Sequence, residues 1–286
     1  MIRKSVAAGG FYPYDPTLLK RELTSFFEHN GTQDITVNRS DTIVCGVCPH
    51  AGYTYSGKTA SVFYKQLAES MPNRFILVGP NHYGIGPKVA VMDEGSWETP
   101  LGQIPVNTEL ASAILDASDY LSPDERAHLQ EHSIEVQLPF LQYLRDDISF
   151  VPISMNTQDL DSAIEVAQAI KNSADDNVGI IASSDLVHFG ASFGYKPVSG
   201  SDSEILEWIE RNDRQVLTMI VEKDVDGLYD FISSLNYTMC GYGPSAVTMI
   251  LASNFGLDGT VLDYTNSYAA SRNTDLVVGY GSVIFK

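Results

Sequence analysis

The sequence predicts an α/β fold: one domain, residues 1–286, on a mixed, largely parallel sheet covered by helices on both faces. Two observations carry this. Short runs of strand-formers alternate with amphipathic helical patterns along the whole chain, the arrangement that yields a sheet sandwiched between helix layers. No internal repeat, low-complexity segment, long linker or composition shift marks a boundary, and 286 residues suffice to bury a large core.

Taken in order, the chain opens with a Gly-Pro-aromatic stretch over 9–16, and the pattern then predicts a helix over 17–28. The run TIVCGVC (42–48) is the first strand, and 57–69 the helix after it. RFILV (74–78) is a second strand, running into Gly79-Pro80-Asn81-His82. A short pair over 89–92 and 103–106 is read with a turn around Trp97 and Gly102. Helices are expected at 107–116 and 124–144, and a strand at 149–153. Apolar residues at 160, 163, 164, 167 and 170 give 158–171 helical spacing. NVGIIA (177–182) is a strand, followed by acidic helices near 201–221 and 225–235. Met239-Cys240-Gly241-Tyr242-Gly243-Pro244 forms a tight loop feeding a helix to Ser253, and strands at 259–264 and 275–285 close the chain.

Eighteen basic residues stand against 36 acidic ones, a net charge of −18. That balance argues against broad contact with nucleic acid or anionic membrane, which reward clustered Lys and Arg. Cys45, Cys48 and Cys240 are an odd count and no disulfide framework. With no apolar signal region and no stretch of about twenty apolar residues, the chain reads as a reduced, cytoplasmic protein.

The three best strands are each followed within two to six residues by a histidine: His50, His82 and His188. In a mainly parallel sheet the C-terminal strand ends share one edge, so these side chains can converge there. Neutral imidazoles bind divalent first-row metals well, and two or three with an open position make a reactive site. Cys240 sits in a glycine-bounded loop, as a thiolate that reaches the site or as a small buried hydrophobe. Asp185, three residues before His188, either orients an imidazole or caps a turn. His132, flanked by Glu131 and Glu135, is read at the start of an amphipathic helix, and a solvated helix end is the plain alternative. His29 and His128 stand apart from any constellation and are read as surface residues. Tyrosines near these loops, Tyr53 and Tyr55 among them, suggest a partly apolar pocket with phenol hydrogen bonds.

Two patterns compete with a metal site. Gly52 to Thr59 matches the phosphate-loop signature G-x-x-x-x-G-K-T between a strand and a helix, which would make Lys58 the phosphate lysine of an NTPase. That reading leaves the three strand-end histidines unexplained. Cys45 and Cys48 have dithiol spacing, but in a strand pattern residues three apart point to opposite faces.

The segments Pro49-His50-Ala51-Gly52-Tyr53-Thr54-Tyr55-Ser56-Gly57, Gly79-Pro80-Asn81-His82 and Glu131-His132-Ser133-Ile134-Glu135 resemble the Memo family. So do Ser183-Ser184-Asp185-Leu186-Val187-His188 and Cys240-Gly241-Tyr242-Gly243-Pro244. The resemblance runs from Gly10-Phe11-Tyr12-Pro13 to Val278-Gly279-Tyr280, in the branch called AmmeMemoRadiSam system protein B. That branch implies a functional link to an AMMECR-like protein and a radical SAM protein. In this motif Lys58 and Thr59 fall outside the P-H-A-G-Y-x-Y-S-G loop.

The resemblance implies a fold similar to the LigB subunit of class III extradiol dioxygenases, which are non-haem iron enzymes. Carried over, His50 and His82 are metal ligands with Cys240 at the third position. His188 is the acid–base with Asp185 beside it, and His132, Tyr53, Tyr55 and Asn81 surround the pocket. A thiolate replaces the dioxygenase carboxylate, shifting preference toward Cu(I), Zn or redox-active iron and arguing against catechol cleavage. The expected function is an iron- or copper-dependent oxidoreductase, with zinc as a third metal, acting on a small-molecule or peptide ligand. The rival expectation is a non-catalytic scaffold whose cleft recognises a peptide or small anion.

Overall fold

A computed structural model describes residues 1–29, 35–40 and 42–286 of the chain. The three apolar runs become adjacent parallel strands, for a simple reason. Val44–Cys48 (β2 in chain order, after the short β1 at Ile2–Arg3) and Gly179–Ser183 are buried at every position. Such strands have no solvent face and need helices on both sides.

The remaining strands, in chain order, are β3 (Arg74–Pro80), β4 (Val89–Val91), β5 (Ser96–Thr99), β6 (Gly102–Pro105) and β7 (Ser122–Pro123). They are followed by β8 (Ser149–Met155), β9 (Gly179–Ser183), β10 (His188–Phe189), β11 (Gly259–Asn266) and β12 (Val277–Phe285). Among the described residues nine strands form the main sheet in the order β10-β12-β2-β9-β3-β8-β4-β7, with β11 also paired to β12. Pairs β2/β9, β9/β3 and β3/β8 are parallel, whereas β12 runs antiparallel to β2 and β4 antiparallel to β8.

Helices α1 (Pro16–His29), α2 (Tyr53–Ala68) and α4 (Leu138–Leu144) pack together on one face. Helices α3 (Thr108–Asp116), α5 (Leu160–Ser173), α6 (Asp202–Glu222), α7 (Val225–Leu235) and α8 (Tyr242–Phe255) pack together over the other, and α9 (Tyr268–Ser271) lies near α2. At Gly46 a Cβ would stand 2.2 Å from the Phe63 ring, so α2 sits directly on β2 only because that position has no side chain. This mixed, helix-covered sheet is the LigB-like α/β class expected.

Register builds the functional edge. Cys48 pairs with Ser183 and Val78 with Ala182, so β2, β9 and β3 finish nearly level. Pro49-His50, Ser184-Asp185 and Asn81-His82 therefore leave the sheet side by side.

Several expectations are corrected. Helix 124–144 is helical only from Leu138, with two 3-10 turns at Arg126–His128 and Glu135–Gln137 before it. The Ser133 amide and hydroxyl donate to Glu131 Oε1 and Pro80 O instead of a helix ladder, and Pro139 suits only a first turn. Trp97 is no turn residue: it lies in β5, fully buried, in a separate three-stranded sheet β1-β5-β6. His128 is fully buried rather than at the surface, edge-on to Trp97 at 5.7 Å between ring centroids. The His29 side chain lies outside the described residues. No helix among the described residues is long and apolar enough to cross a membrane.

Candidate metal centre

His50, His82 and His132 offer nitrogens that all lie within 4.8 Å of one another. Their ring centroids are 5.3 Å (His50–His82), 5.5 Å (His50–His132) and 4.7 Å (His82–His132) apart. Each ring is fixed from behind.

His50 follows β2, and its backbone N–H donates to Asp185 Oδ1 at 2.8 Å. Its Nδ1 faces Ser183 Oγ at 3.0 Å, and its Nε2 faces Cys240 Sγ at 3.3 Å. The ring is 2% exposed. Burial, and then repulsion from His82, His132 and His188, holds its pKa well below the usual histidine range. It is therefore a neutral imidazole, the form that binds metals.

His82 follows β3 and leans on Glu131, a carboxylate with no solvent exposure. Glu131 accepts from the His82 backbone N–H at 2.7 Å, from His82 Nδ1 at 2.9 Å and from the Ser133 N–H at 2.9 Å. Burial works against charge on both partners, but the hydrogen bonds and mutual attraction win. Glu131 is held down to about 2 and His82 is raised above its ordinary value. His132 Nδ1 stands 3.5 Å from the same carboxylate, yet burial dominates there and pushes His132 down to about 4.

The N-terminal segment walls this side. Phe11 packs on His132 at 4.3 Å between centroids, and Phe11 O accepts the Tyr53 N–H. That segment is tied down by Glu135, fully buried, which accepts from Arg3, Tyr12 and the Val6 and Ala7 N–H groups. Arg3 also donates to Glu131 O and His128 O, and lies over the Trp97 ring.

Cys240 comes from the loop before α8, held because Gly241 lets the backbone touch β9. A Cβ there would stand 2.6 Å from Ser183 O. The thiol is partly buried and accepts the Asp185 N–H at 3.3 Å. Burial and the Asp185 charge push its pKa well above the usual thiol value. Asp185 is buried; desolvation raises it, against the charge of His188 and the N–H groups of His50 and Ala51. Its Oδ1 is thus a clamp on the His50 turn.

His188 lies at the start of β10, half-buried, with Nδ1 facing the carbonyls of Leu186 (3.2 Å) and Thr238 (3.1 Å). A ring nitrogen between two acceptors must carry the proton, so Nε2 is left free to accept one.

The other residues expected around the pocket have the following partners. The Tyr53 phenol is buried and donates to Val136 O. Tyr55 is exposed and lines a separate groove of about 400 Å³ with Lys58 and Asp263. Asn81 caps its own turn, accepting from Tyr83 and Gly84 and donating to Ile85 O. The phosphate-loop reading fails on geometry. Helix α2 already begins at Tyr53, so the residues between Gly52 and Gly57 are helical and offer no loop to wrap a phosphate. Thr59, meanwhile, donates to Asp263.

Sequence reading missed Glu131, Ser183 and Gln137 as supports of the site. The only signal was Glu131 beside His132, which charge patterning alone assigns to a solvated helix.

Fold and site together define a LigB-like α/β protein with a histidine cluster at the C-terminal edge of its sheet. The family model described as Memo-like protein matches residues 3–284, and the chain belongs to that family. MEMO1 family proteins of Pyrococcus furiosus and Thermococcus onnurineus are 39% and 40% identical to it. Both alignments span the whole of this chain and 99% and 100% of those proteins, respectively. An uncharacterized protein of Escherichia coli K12 shares the fold, with a TM-score of 0.52 and 13% identity. That match covers 85% of this chain and 99% of the other.

Proposed function

We propose that this protein binds a redox-active metal ion, iron(II) or copper ahead of zinc, and acts as a metal-dependent oxidoreductase. The ion would be held by His50, His82 and Cys240, with His132 beside it. The observation that carries this reading is the convergence of three imidazoles, each backed by buried partners, with a thiol against one of them. Donors on one ion stand about 3–4 Å apart given bonds of roughly 2.0–2.3 Å, and side-chain torsions can close the remaining gap. The donor set is mixed nitrogen and sulfur, which suits copper, zinc and thiolate-ligated iron better than magnesium or calcium.

Such an ion supplies Lewis acidity and, for iron or copper, electron transfer. The chain's own residues do the rest. Glu131 and Ser183 orient the imidazoles, Asp185 fixes the His50 turn, and Phe11 shields His132 from water. His188 takes or returns a proton at Nε2.

Metal analysis of protein purified without oxygen tests this. Stoichiometric iron or copper that disappears in Cys240→Ser supports the ligand set. Loss in His132→Ala but not in Cys240→Ser would replace the thiolate with the third imidazole. No metal in any form would overturn the reading and favour a binding cleft without chemistry.

A further inference from the structure

The geometry points to Ser183 as a positioning residue that locks His50 in the tautomer carrying its proton on Nδ1, so that Nε2 presents a bare lone pair. The direction of every hydrogen bond behind His50 follows from two groups that can only accept. Pro49 O lies 3.0 Å from Gln137 Nε2, so the amide must turn its nitrogen, not its oxygen, to that carbonyl. The second proton of the same nitrogen goes to Ser183 Oγ at 2.8 Å, and Gln137 Oε1 takes the Tyr64 hydroxyl proton at 2.7 Å. Ser133 O accepts from the Ser183 hydroxyl at 2.6 Å, which spends the single proton Ser183 has. Only lone pairs remain on Oγ for His50 Nδ1 at 3.0 Å. A ring nitrogen facing them must donate, and a neutral imidazole has no second proton for Nε2.

The opposite tautomer would set two lone pairs against each other and place a proton between Nε2 and Cys240. Solvent offers no way out, because Tyr64, Gln137, Ser183 and His50 are all at most 2% exposed. An unmade bond there leaves a desolvated polar group. Four separate elements meet in this chain: α2, the turn before α4, the end of β9 and the turn after β2. The tautomer of one side chain is thus set by the packing of the fold.

The inference rests on the proposed role of His50 as a ligand, but it concerns the metal-free protein and can be read there. Two-bond proton–nitrogen correlation spectra of protein labelled with 15N-histidine report which ring nitrogen is protonated, and His50→Ala identifies the signal. Wild type is expected to show a protonated Nδ1 and a bare Nε2. Ser183→Ala removes the acceptor, so the Nε2–H form should become populated and zinc affinity fall by about 10–100-fold. Gln137→Leu takes away a donor to Ser183, along with the partner of Pro49 O and of the Tyr64 hydroxyl, but leaves Ser183 donating to Ser133 O with its lone pairs toward His50. The Nδ1–H tautomer should therefore persist; a purely structural role would make the two variants behave alike. A wild-type His50 protonated on Nε2, or an unchanged tautomer in Ser183→Ala, overturns the inference. If Ser183→Ala does not fold, the wild-type spectrum still decides. The expected tautomer in a protein that binds no metal would sink the functional reading and sustain this one.

Discussion

Cys240 Sγ stands 3.3 Å from His50 Nε2, although the two residues are 190 positions apart in the chain. Two ligands of one tetrahedral ion, with bonds near 2.3 and 2.0–2.1 Å, would be separated by about 3.5 Å. The fold therefore holds this pair at ligand spacing before any ion enters. A thiol whose pKa burial keeps high must lose its proton on binding metal.

Zinc titration by calorimetry in buffers of different ionisation enthalpy should accordingly report about one more released proton for wild type than for Cys240→Ser. Because binding competes with that proton, wild-type affinity should rise as pH rises, up to about tenfold per unit below the thiol pKa. Equal proton release in the two proteins would remove Cys240 from the ligand set.

Glu131→Gln should weaken zinc or iron(II) binding by about 10–100-fold, measured by competition with a chelator. The charge that raises His82 is lost, and the Gln amide has one acceptor oxygen for the three N–H donors that Glu131 takes on two. Unchanged affinity would mean that the Glu131–His82 pair serves stability alone.

The Arg3–Glu135 pair is fully desolvated. Arg3→Met should lower unfolding free energy in urea by about 3–5 kcal/mol, because it strands a buried carboxylate. Adding Glu135→Leu should fail to restore stability. The Val6 and Ala7 N–H groups and the Tyr12 hydroxyl would then lack their acceptor.

Asp213 is buried and accepts from Val187 N–H, Tyr237 and Tyr264, yet desolvation still raises it to about 6. Its native pKa exceeds the unfolded value near 4, so the native state holds the proton more tightly. The contribution of Asp213 to stability is greatest below about pH 4 and declines as pH rises to about 6. The full swing is on the order of 3 kcal/mol. Asp213→Asn should therefore gain stability relative to wild type across that window and stay level above it. A difference that is flat with pH in denaturant titrations would refute the shift.

Lys58→Ala should change neither metal content nor any response to nucleotide, because wild type should show no binding of Mg-ATP by calorimetry. Micromolar binding abolished by Lys58→Ala would restore the phosphate-loop reading against the helix geometry.

The parts legible in the sequence are those governed by local pattern. The runs TIVCGVC, RFILV and NVGIIA end where β2, β3 and β9 end, to within one or two residues. Their histidines do stand at one edge for His50 and His82, because parallel strands bring their C-terminal ends together. The stretch 124–144 misled, since its apolar spacing is helical while Glu131 and Ser133 spend their groups on β3 and on each other. His128 misled for a related reason. With no constellation around it His128 reads as a surface residue, and Trp97 and Arg3 pack against it from 31 and 125 positions away.

By itself the sequence determined the α/β class, the family and the histidines and cysteine from which a metal centre can be built, because composition, periodicity and motif order are local properties. Only the tertiary structure put His132 into the cluster, set Glu131 and Ser183 behind the rings and took Lys58 out of contention. Those outcomes depend on strand register and on which hydrogen-bond partner each buried group meets. For these side chains that choice is made between residues 46 to 190 positions apart.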